Sequence, residues 1–183
     1  ADRVLTVDLH AAQIQGFFDL PVDHLLAFPV LSKYFEQLNA GDLVVVTPDV
    51  GGIKLARNYS KKLGIKMAIV DKRRVGPEET EVGFVIGDVA NKNVVMIDDL
   101  IATGGSIAQA ANVLKERGAK DIYVGATHPV FCGAAVEKLS AAPIKEIVVT
   151  DTIPLNEKAR GLGSKIKVLS ISGLLGDAIM RIH

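Results

Sequence analysis

Short apolar runs rich in β-branched residues recur along the chain, and each is followed by polar or glycine-rich positions. Because these runs do not alternate with polar residues, they are typical of strands buried on both faces of a sheet. The clearest lie at 43–47, 67–70, 94–97 and 122–127. Between them, apolar residues recur every three or four positions, which is the spacing of one helix face. This spacing predicts helices at about residues 11–18, 31–38, 53–63, 106–118, 133–139 and 173–182.

Three further strands are predicted at residues 4–7, 146–150 and 166–170. Residues 82–86 and 88–93 are interpreted as a hairpin that leads into the run at 94–97, and Pro21 and Pro29 bracket a linker-like stretch. The alternation of strands and helices predicts an α/β fold with a mainly parallel, doubly wound sheet flanked by helices. In such a sheet the binding site lies at the switch point of the strand order.

The stretch that follows residues 94–97 carries the most specific chemistry. Asp98 and Asp99 stand where that strand would leave the sheet, and they can accept hydrogen bonds from sugar hydroxyls or hold Mg2+. A glycine loop then opens the next helix, so its backbone N–H groups and the helix dipole favour an anion such as phosphate. A glycine turn with a serine cap and two solvated aspartates is the alternative. The loop residues are Ala102, Thr103, Gly104, Gly105 and Ser106.

A second unit of strand, glycine loop and helix follows residues 43–47. Its loop again directs backbone N–H groups toward an anion, with Asp49 available to a metal. An ordinary strand-to-helix turn is the alternative. The loop residues are Asp49, Val50, Gly51 and Gly52.

Two charged stretches accompany these loops. Asp8 and His10 lie two positions apart after the run at 4–7, so both can face a nucleotide–metal complex, although a helix cap and a surface histidine explain them equally. Residues 71–81 are charged and contain Gly-Pro, which predicts a surface loop. Its basic residues are suitably placed to neutralise charge in a transferring phosphoryl group, or they form a solvated turn. They are Lys72, Arg73 and Arg74.

Composition narrows the function classes. Of the 183 residues 49% are hydrophobic, and 21 basic residues balance 21 acidic ones, so no net charge favours nucleic acid or a membrane surface. No apolar stretch approaches the roughly 20 residues that span a bilayer. The single cysteine, Cys132, excludes an internal disulfide and suits a reducing, cytoplasmic location.

The quoted motifs resemble one enzyme family. Residues 98–106, DDLIATGGS, resemble the ribose 5-phosphate fingerprint of type I phosphoribosyltransferases and of ribose-phosphate pyrophosphokinases (PRPP synthetases). Residues 8–23, DLHAAQIQGFFDLPVD, resemble the divalent-cation signature of the pyrophosphokinases, which ordinary phosphoribosyltransferases lack. Residues 150–154, TDTIP, are similar to another element of that family. The resemblance covers essentially the whole chain and implies a phosphoribosyltransferase type I fold.

The resemblance also implies a reaction: ATP and ribose 5-phosphate give PRPP and AMP, with Mg2+ as cofactor. It assigns the ribose hydroxyls to Asp98 and Asp99, the 5-phosphate to residues 102–106, and the pyrophosphate to residues 49–52. The catalytic pair of a flexible loop would be Lys72 and Arg74. The residues implied for Mg2+ and the ATP phosphates are Asp8, His10 and Asp49.

Members of that family are longer, two-domain proteins, and this chain resembles their C-terminal half. Residues 1–30 are expected to end an N-terminal lobe, residues 31–165 to form the phosphoribosyltransferase-like domain, and residues 166–183 to return to the first lobe. Adenine-binding segments would lie mostly upstream, so little synthesis by this chain alone is expected. A homo-oligomer is expected, because apolar ends would otherwise be exposed. A non-catalytic regulatory subunit and a PRPP-using phosphoribosyltransferase remain as alternatives.

Overall fold

A computed structural model describes residues 1–38, 40–73 and 82–182 of the chain. Within these ranges the strands are β1 (Val4–Val7), β2 (Val22–Leu25), β3 (Leu43–Thr47), β4 (Lys66–Arg73), β5 (Val82–Ile86), β6 (Asn93–Leu100), β7 (Ile122–His128), β8 (Glu146–Thr150) and β9 (Ile166–Leu169). The α-helices are α1 (Phe28–Glu36), α2 (Ile53–Leu63), α3 (Gly105–Glu116), α4 (Ala135–Ala141), α5 (Glu157–Arg160) and α6 (Ser172–Ile182). Short 3-10 helices span Ala12–Phe17, Val50–Gly52 and Gly163–Lys165.

Seven strands form the main sheet in the order β5-β4-β3-β6-β7-β8-β9. All neighbouring pairs are parallel except β4 and β5, which pair antiparallel. The chain proceeds from β3 toward one edge and from β6 toward the other, so the strand order switches between β3 and β6. The predicted α/β class with a mainly parallel, doubly wound sheet is confirmed, and ligands of such sheets bind beyond the carboxyl ends at this switch point.

Side chains alternate across each central strand and fill two separate cores. Val44 and Val46 of β3 face the core that contains α3 and α4, whereas Val45 faces the core of α1 and α2. On β6, Met96 and Ile97 divide in the same way. Because both faces are covered by helices, these strands need apolar residues at every position, which explains their unbroken apolar runs.

A second layer is attached to the main sheet by polar contacts. β1 and β2 form a parallel two-stranded sheet of their own. Asp8, whose φ is +40°, follows β1, and its Oδ2 accepts hydrogen bonds from Thr127 Oγ1 at 2.7 Å and from the Ala27 N–H at 2.9 Å. His128 Nε2 lies 3.0 Å from the carbonyl oxygen of Val7. These bonds hold the layer against the end of β7.

Two sequence-based predictions of local structure are wrong. Residues 82–86 do form a strand, but it pairs with β4, and residues 88–92 form a turn in which Asn91 has a φ of +60°. The stretch between Pro21 and Pro29 is not a linker, because it contains β2 and the start of α1. The segment at 11–18 is a 3-10 helix, Ala12–Phe17. The division into lobes stays a prediction, although β9 is hydrogen-bonded to β8 in the main sheet.

None of the helices in the described part of the chain is long and apolar enough to span a bilayer.

Candidate active site

One pocket lies beyond the carboxyl ends of β3 and β6, where the strand order switches. Most of the predicted site residues line it, although they come from three separate parts of the sequence. This convergence follows from the topology, since adjacent parallel strands deliver their following loops to the same edge of the sheet. The lining residues are His10, Asp49, Asp98, Asp99, Leu100, Ile101, Ala102, Thr103, Gly104, Gly105, Ser106 and Ile107.

The glycine loop before α3 forms the floor of the pocket. Gly104, with a φ of +67°, is the N-cap residue of α3, and no side chain forms a capping hydrogen bond there. The first backbone N–H groups of α3 are therefore available to a ligand in the pocket. A Cβ on Gly104 would lie 3.1 Å from Cγ of buried Leu139, which leaves no room for a larger residue. Thr103 is exposed, and its hydroxyl forms no hydrogen bond within the described residues. The loop can therefore present several donors to one anion.

The two carboxylates at the end of β6, Asp98 and Asp99, accept hydrogen bonds from backbone N–H groups. The Asp99 N–H donates to Asp98 Oδ1 at 2.9 Å, and the Leu100 N–H donates to Asp99 Oδ1 at 2.8 Å. Burial, together with a hydrogen bond to the Asp99 side chain, raises the pKa of Asp98 to about 7. Near neutral pH Asp98 is thus able both to accept and, when protonated, to donate a hydrogen bond.

His10 reaches the same pair from the segment after β1. Its Nδ1 lies 2.6 Å from Asp99 Oδ2, and this hydrogen bond raises the pKa of His10. The bond occupies Nδ1 and leaves Nε2 for a phosphate oxygen or, in the neutral ring, for a metal ion. The contact joins residues 89 positions apart, so sequence spacing could not have revealed it.

The second glycine loop is also preorganised. The Gly52 N–H donates to Asp49 Oδ1 at 3.1 Å, and the Thr47 hydroxyl donates to the Asp49 carbonyl oxygen at 2.7 Å. A Cβ on Gly52 would collide with Thr47 Oγ1, so this position requires glycine. The 3-10 turn Val50–Gly52 leads directly into α2.

The donor set is compatible with Mg2+ but forms no closed metal cage. Within the described ranges, no group of three or more His, Cys, Asp or Glu side chains is arranged to hold a metal ion. Mg2+ usually keeps several water ligands and binds through one or two carboxylates together with substrate phosphates. Asp49, with Nε2 of His10 nearby, is compatible with that coordination. Asp8 does not line the pocket, and its Oδ2 is bonded to Thr127 and Ala27. Its role as a metal ligand stays a prediction.

The predicted catalytic pair is only partly placed. Lys72 lies in β4, where its backbone pairs with Gly83 of β5. Arg74 lies outside the described residues. Their assignment as the catalytic pair stays a prediction.

A larger cavity of about 640 Å³ lies between β1, the ends of β7 and β8, and the start of α6. It is lined by residues such as His128, Thr152 and Ser172, and none of the predicted site residues borders it. The smaller pocket is the candidate site because its chemistry, rather than its size, matches phosphate and metal binding.

One cation near the pocket was not singled out from the sequence. Lys138 of α4 places Nζ 3.7 Å from the point where a Cβ on Gly105 would stand. In the sequence Lys138 is an ordinary exposed lysine on a short helix, so no local pattern marks it. Its position depends on the packing of α4 against the loop before α3.

Comparisons with known proteins point to one group of enzymes. A family model described as the phosphoribosyl synthetase-associated domain matches residues 75–183. The ribose-phosphate pyrophosphokinase of Oceanobacillus iheyensis is 49% identical over 183 residues, which is 100% of this chain and 57% of that protein. The chain therefore spans little more than half the length of such relatives.

Solved structures give the same relationship. The phosphoribosylpyrophosphate synthetase from Mycobacterium smegmatis matches with a TM-score of 0.90 and 41% identity, over 100% of this chain and 59% of that chain. The purine phosphoribosyltransferase from Pyrococcus horikoshii Ot3 matches with a TM-score of 0.50 and 23% identity, over 73% of this chain and 83% of that chain. The second match shows a shared fold alone, the phosphoribosyltransferase type I fold.

Proposed function

We propose, because this chain belongs to the ribose-phosphate pyrophosphokinase family, that it forms the ribose 5-phosphate site of an enzyme that makes PRPP and AMP from ribose 5-phosphate and ATP. The observation that carries the proposal is the pocket at the switch point. There an uncapped helix N-terminus stands beside two carboxylates, Asp98 and Asp99, at the end of one strand. A phosphorylated sugar has the matching chemistry, with an anion at one end and hydroxyl groups along its length.

In this reaction the C1 hydroxyl oxygen of ribose 5-phosphate attacks the β-phosphorus of ATP. The new bond joins that oxygen to the β-phosphorus, the bond from the β-phosphorus to the oxygen bridging toward the α-phosphorus breaks, and AMP leaves with that oxygen. The hydroxyl proton is released to solvent or to a basic group. Asp98 and Asp99 hold the ribose hydroxyls and so orient the attacking oxygen, while the loop at 102–106 holds the 5-phosphate.

The charged groups around the transferred pyrophosphoryl group come from other parts of the chain. The backbone N–H groups of the loop at 49–52 bind pyrophosphate. Asp49 and His10 bind Mg2+ and the ATP phosphates. Bound Mg2+ would neutralise part of the negative charge on the ATP phosphates. Lys72 and Arg74 act on the charge that develops in the transition state.

Ribose 5-phosphate binding tests the proposal directly. Replacing Thr103 by Val removes a hydroxyl donor to a charged phosphate, a loss of about 1.5–3 kcal/mol, and binding should weaken about 10- to 100-fold. Thr103→Ser keeps the hydroxyl and is the matched control. Titration calorimetry should show binding of ribose 5-phosphate by the parent chain and by Thr103→Ser. Equal affinity in all three proteins would show that the phosphate does not bind at Thr103. Absence of binding by the parent would refute the proposal.

We also propose that the chain works as a homo-oligomer in the cytoplasm. Phe17 and Met180 are 86% and 72% exposed, and other large apolar side chains near both ends of the chain are also solvent-accessible, including Phe18, Leu26 and Ile179. Apolar surface of this kind favours association with another copy. Sedimentation velocity over a wide concentration range should show self-association that weakens in a Phe17→Ser, Met180→Ser double variant. A monomer at all concentrations would contradict the proposal.

A further inference from the structure

Helix α4 packs against one side of the loop at residues 102–106, here named the phosphate loop. Leu139 is fully buried, and its Cγ and Cδ1 lie 3.1 and 3.3 Å from the position of a Cβ on Gly104. The carbonyl oxygen of Ala135, at the start of the same helix, lies 3.4 Å from that position. The close packing at Gly104 fixes the distance between α4 and the start of α3. The residue before Leu139 is therefore held beside the loop.

That residue is Lys138, and its ammonium group lies close to Gly105, as does the hydroxyl of Thr103, a predicted phosphate donor. Nζ of Lys138 and Oγ1 of Thr103 each lie 3.7 Å from the single point where a Cβ on Gly105 would stand. Because Gly105 has no side chain, the space between the two donors is open. Lys138 is exposed, and within the described part of the chain its ammonium group forms no hydrogen bond or ion pair.

The described lining of the pocket is more acidic than basic. It contains three carboxylates, from Asp49, Asp98 and Asp99, and one basic side chain, His10, but neither lysine nor arginine. A sugar phosphate carries close to two negative charges near neutral pH, and like charges in one pocket repel it. The backbone N–H groups of α3 supply only a partial positive charge.

We propose that Lys138 is a phosphate-binding residue that gives the pocket its preference for a phosphorylated sugar over the unphosphorylated sugar. This inference rests on the proposed function, since it concerns the same site. An ammonium group acts as a point charge with rotatable donors, so it can follow a phosphate resting on the loop without a fixed geometry. Its contribution is electrostatic, and it should fall as salt rises.

The experiment measures dissociation constants of ribose 5-phosphate, inorganic phosphate and ribose for the full chain by titration calorimetry at low and high salt. Lys138→Met keeps the length of the side chain and removes the charge, while Lys138→Arg restores a cation. Lys115→Met is the matched control, because Lys115 lies in the last turn of α3, at the end of that helix remote from the loop. Thermal unfolding of each variant confirms that the fold is retained.

We expect Lys138→Met to bind ribose 5-phosphate and inorganic phosphate about 5- to 20-fold more weakly at about 50 mM salt, and about 2-fold more weakly near 0.5 M. Affinity for ribose should not change, Lys138→Arg should recover most of the loss, and Lys115→Met should resemble the parent.

Normal phosphate affinity in Lys138→Met, with ribose 5-phosphate still bound by the parent, would overturn the role of Lys138 and leave the proposed function standing. Equal losses in the Lys138 and Lys115 variants would also overturn it, by showing a general charge effect. If the parent itself does not bind ribose 5-phosphate, the proposed function fails and this inference fails with it.

Discussion

The two neighbouring glycines of the loop before α3, Gly104 and Gly105, should respond in opposite directions to alanine. Gly104 has a φ of +67°, and a Cβ there would lie 3.1 Å from Leu139 Cγ. The left-handed conformation costs an L-residue about 1–2 kcal/mol, and overpacking a buried contact costs about 1–3 kcal/mol. Reduced freedom of the unfolded chain returns about 0.4–1 kcal/mol. Gly104→Ala should therefore lower the free energy of unfolding by about 2–4 kcal/mol.

Gly105 lies one residue further along and has neither constraint. Its φ is not positive, and the nearest heavy atoms to an added Cβ, Lys138 Nζ and Thr103 Oγ1, are 3.7 Å away. Because Gly105 begins α3, alanine there should raise the free energy of unfolding by about 0.4–1 kcal/mol.

Thermal and guanidinium unfolding followed by circular dichroism, without ligand or metal, measures both effects. For a chain of this size 1 kcal/mol corresponds to about 2–4 °C, so Gly104→Ala should lower Tm by about 5–15 °C and Gly105→Ala should raise it by about 1–3 °C. A double variant, Gly104→Ala with Leu139→Ala, should lose less stability than the two single changes combined, since the smaller side chain relieves the contact. Shifts of equal sign and size at the two glycines would refute this account of the loop.

In the complete enzyme, Lys72→Ala and Arg74→Ala should each lower turnover on the order of 10³-fold in steady-state assays while ribose 5-phosphate affinity barely changes, because their charge acts in the transition state. The pKa of Asp98, raised from 3.8 to about 7, means that the folded state favours the neutral acid. The stability that the protonated form of Asp98 gives the folded state is complete below the unfolded pKa and is lost as the pH rises through the folded pKa. Asp98→Asn stays neutral, so it should gain stability relative to the parent between about pH 4 and 8. Urea unfolding with chelator present measures this difference. Lys165 Nζ donates to three backbone carbonyls at the end of α4, at 2.7, 3.1 and 2.9 Å, and Lys165→Met should lose about 1.5–3 kcal/mol in denaturant unfolding.

Each of these outcomes has a clear opposite. Equal, small losses of rate and affinity in the Lys72 and Arg74 variants would make that pair a substrate clamp. A stability difference between Asp98→Asn and the parent that is flat with pH would show that Asp98 is ionised throughout the range. For Lys165, the control is Lys167→Met, which removes an exposed charge two residues away; equal effects would show that the helix-end contacts contribute little.

Local sequence was sufficient to predict the ends of those strands and helices whose surroundings are uniform. The strand at Leu43–Thr47, the helix at Ile53–Leu63 and the strand at Glu146–Thr150 were predicted with their observed ends. A strand covered on both faces needs apolar residues throughout, and Gly64, with a φ of +66°, ends the helix. The two glycine loops were predictable for the same reason, because the residue types that permit their backbone geometry are few.

Pairing choices were harder to predict, because they depend on partners distant in sequence. β5 was predicted to pair with the residues that follow it, but β4 extends to Arg73 and takes β5 as its antiparallel partner. β2 has two charged or polar residues among four and resembles a loop until β1 lies beside it. In both cases the hydrogen bonds that define the strand are made by a neighbour whose position local pattern does not encode.

The sequence by itself predicted which residues would bear the chemistry: the carboxylates at the end of β6, the glycine loop before α3, and Asp49 with its own loop. Only the tertiary structure decided how they meet. The switch of strand order between β3 and β6 brings both loops to one edge of the sheet, and the layer formed by β1 and β2 carries His10 to within 2.6 Å of Asp99. The packing of α4 places Lys138 beside the loop before α3. Spacing along a chain limits only local geometry, whereas contacts between distant residues follow from the way in which the two cores are filled.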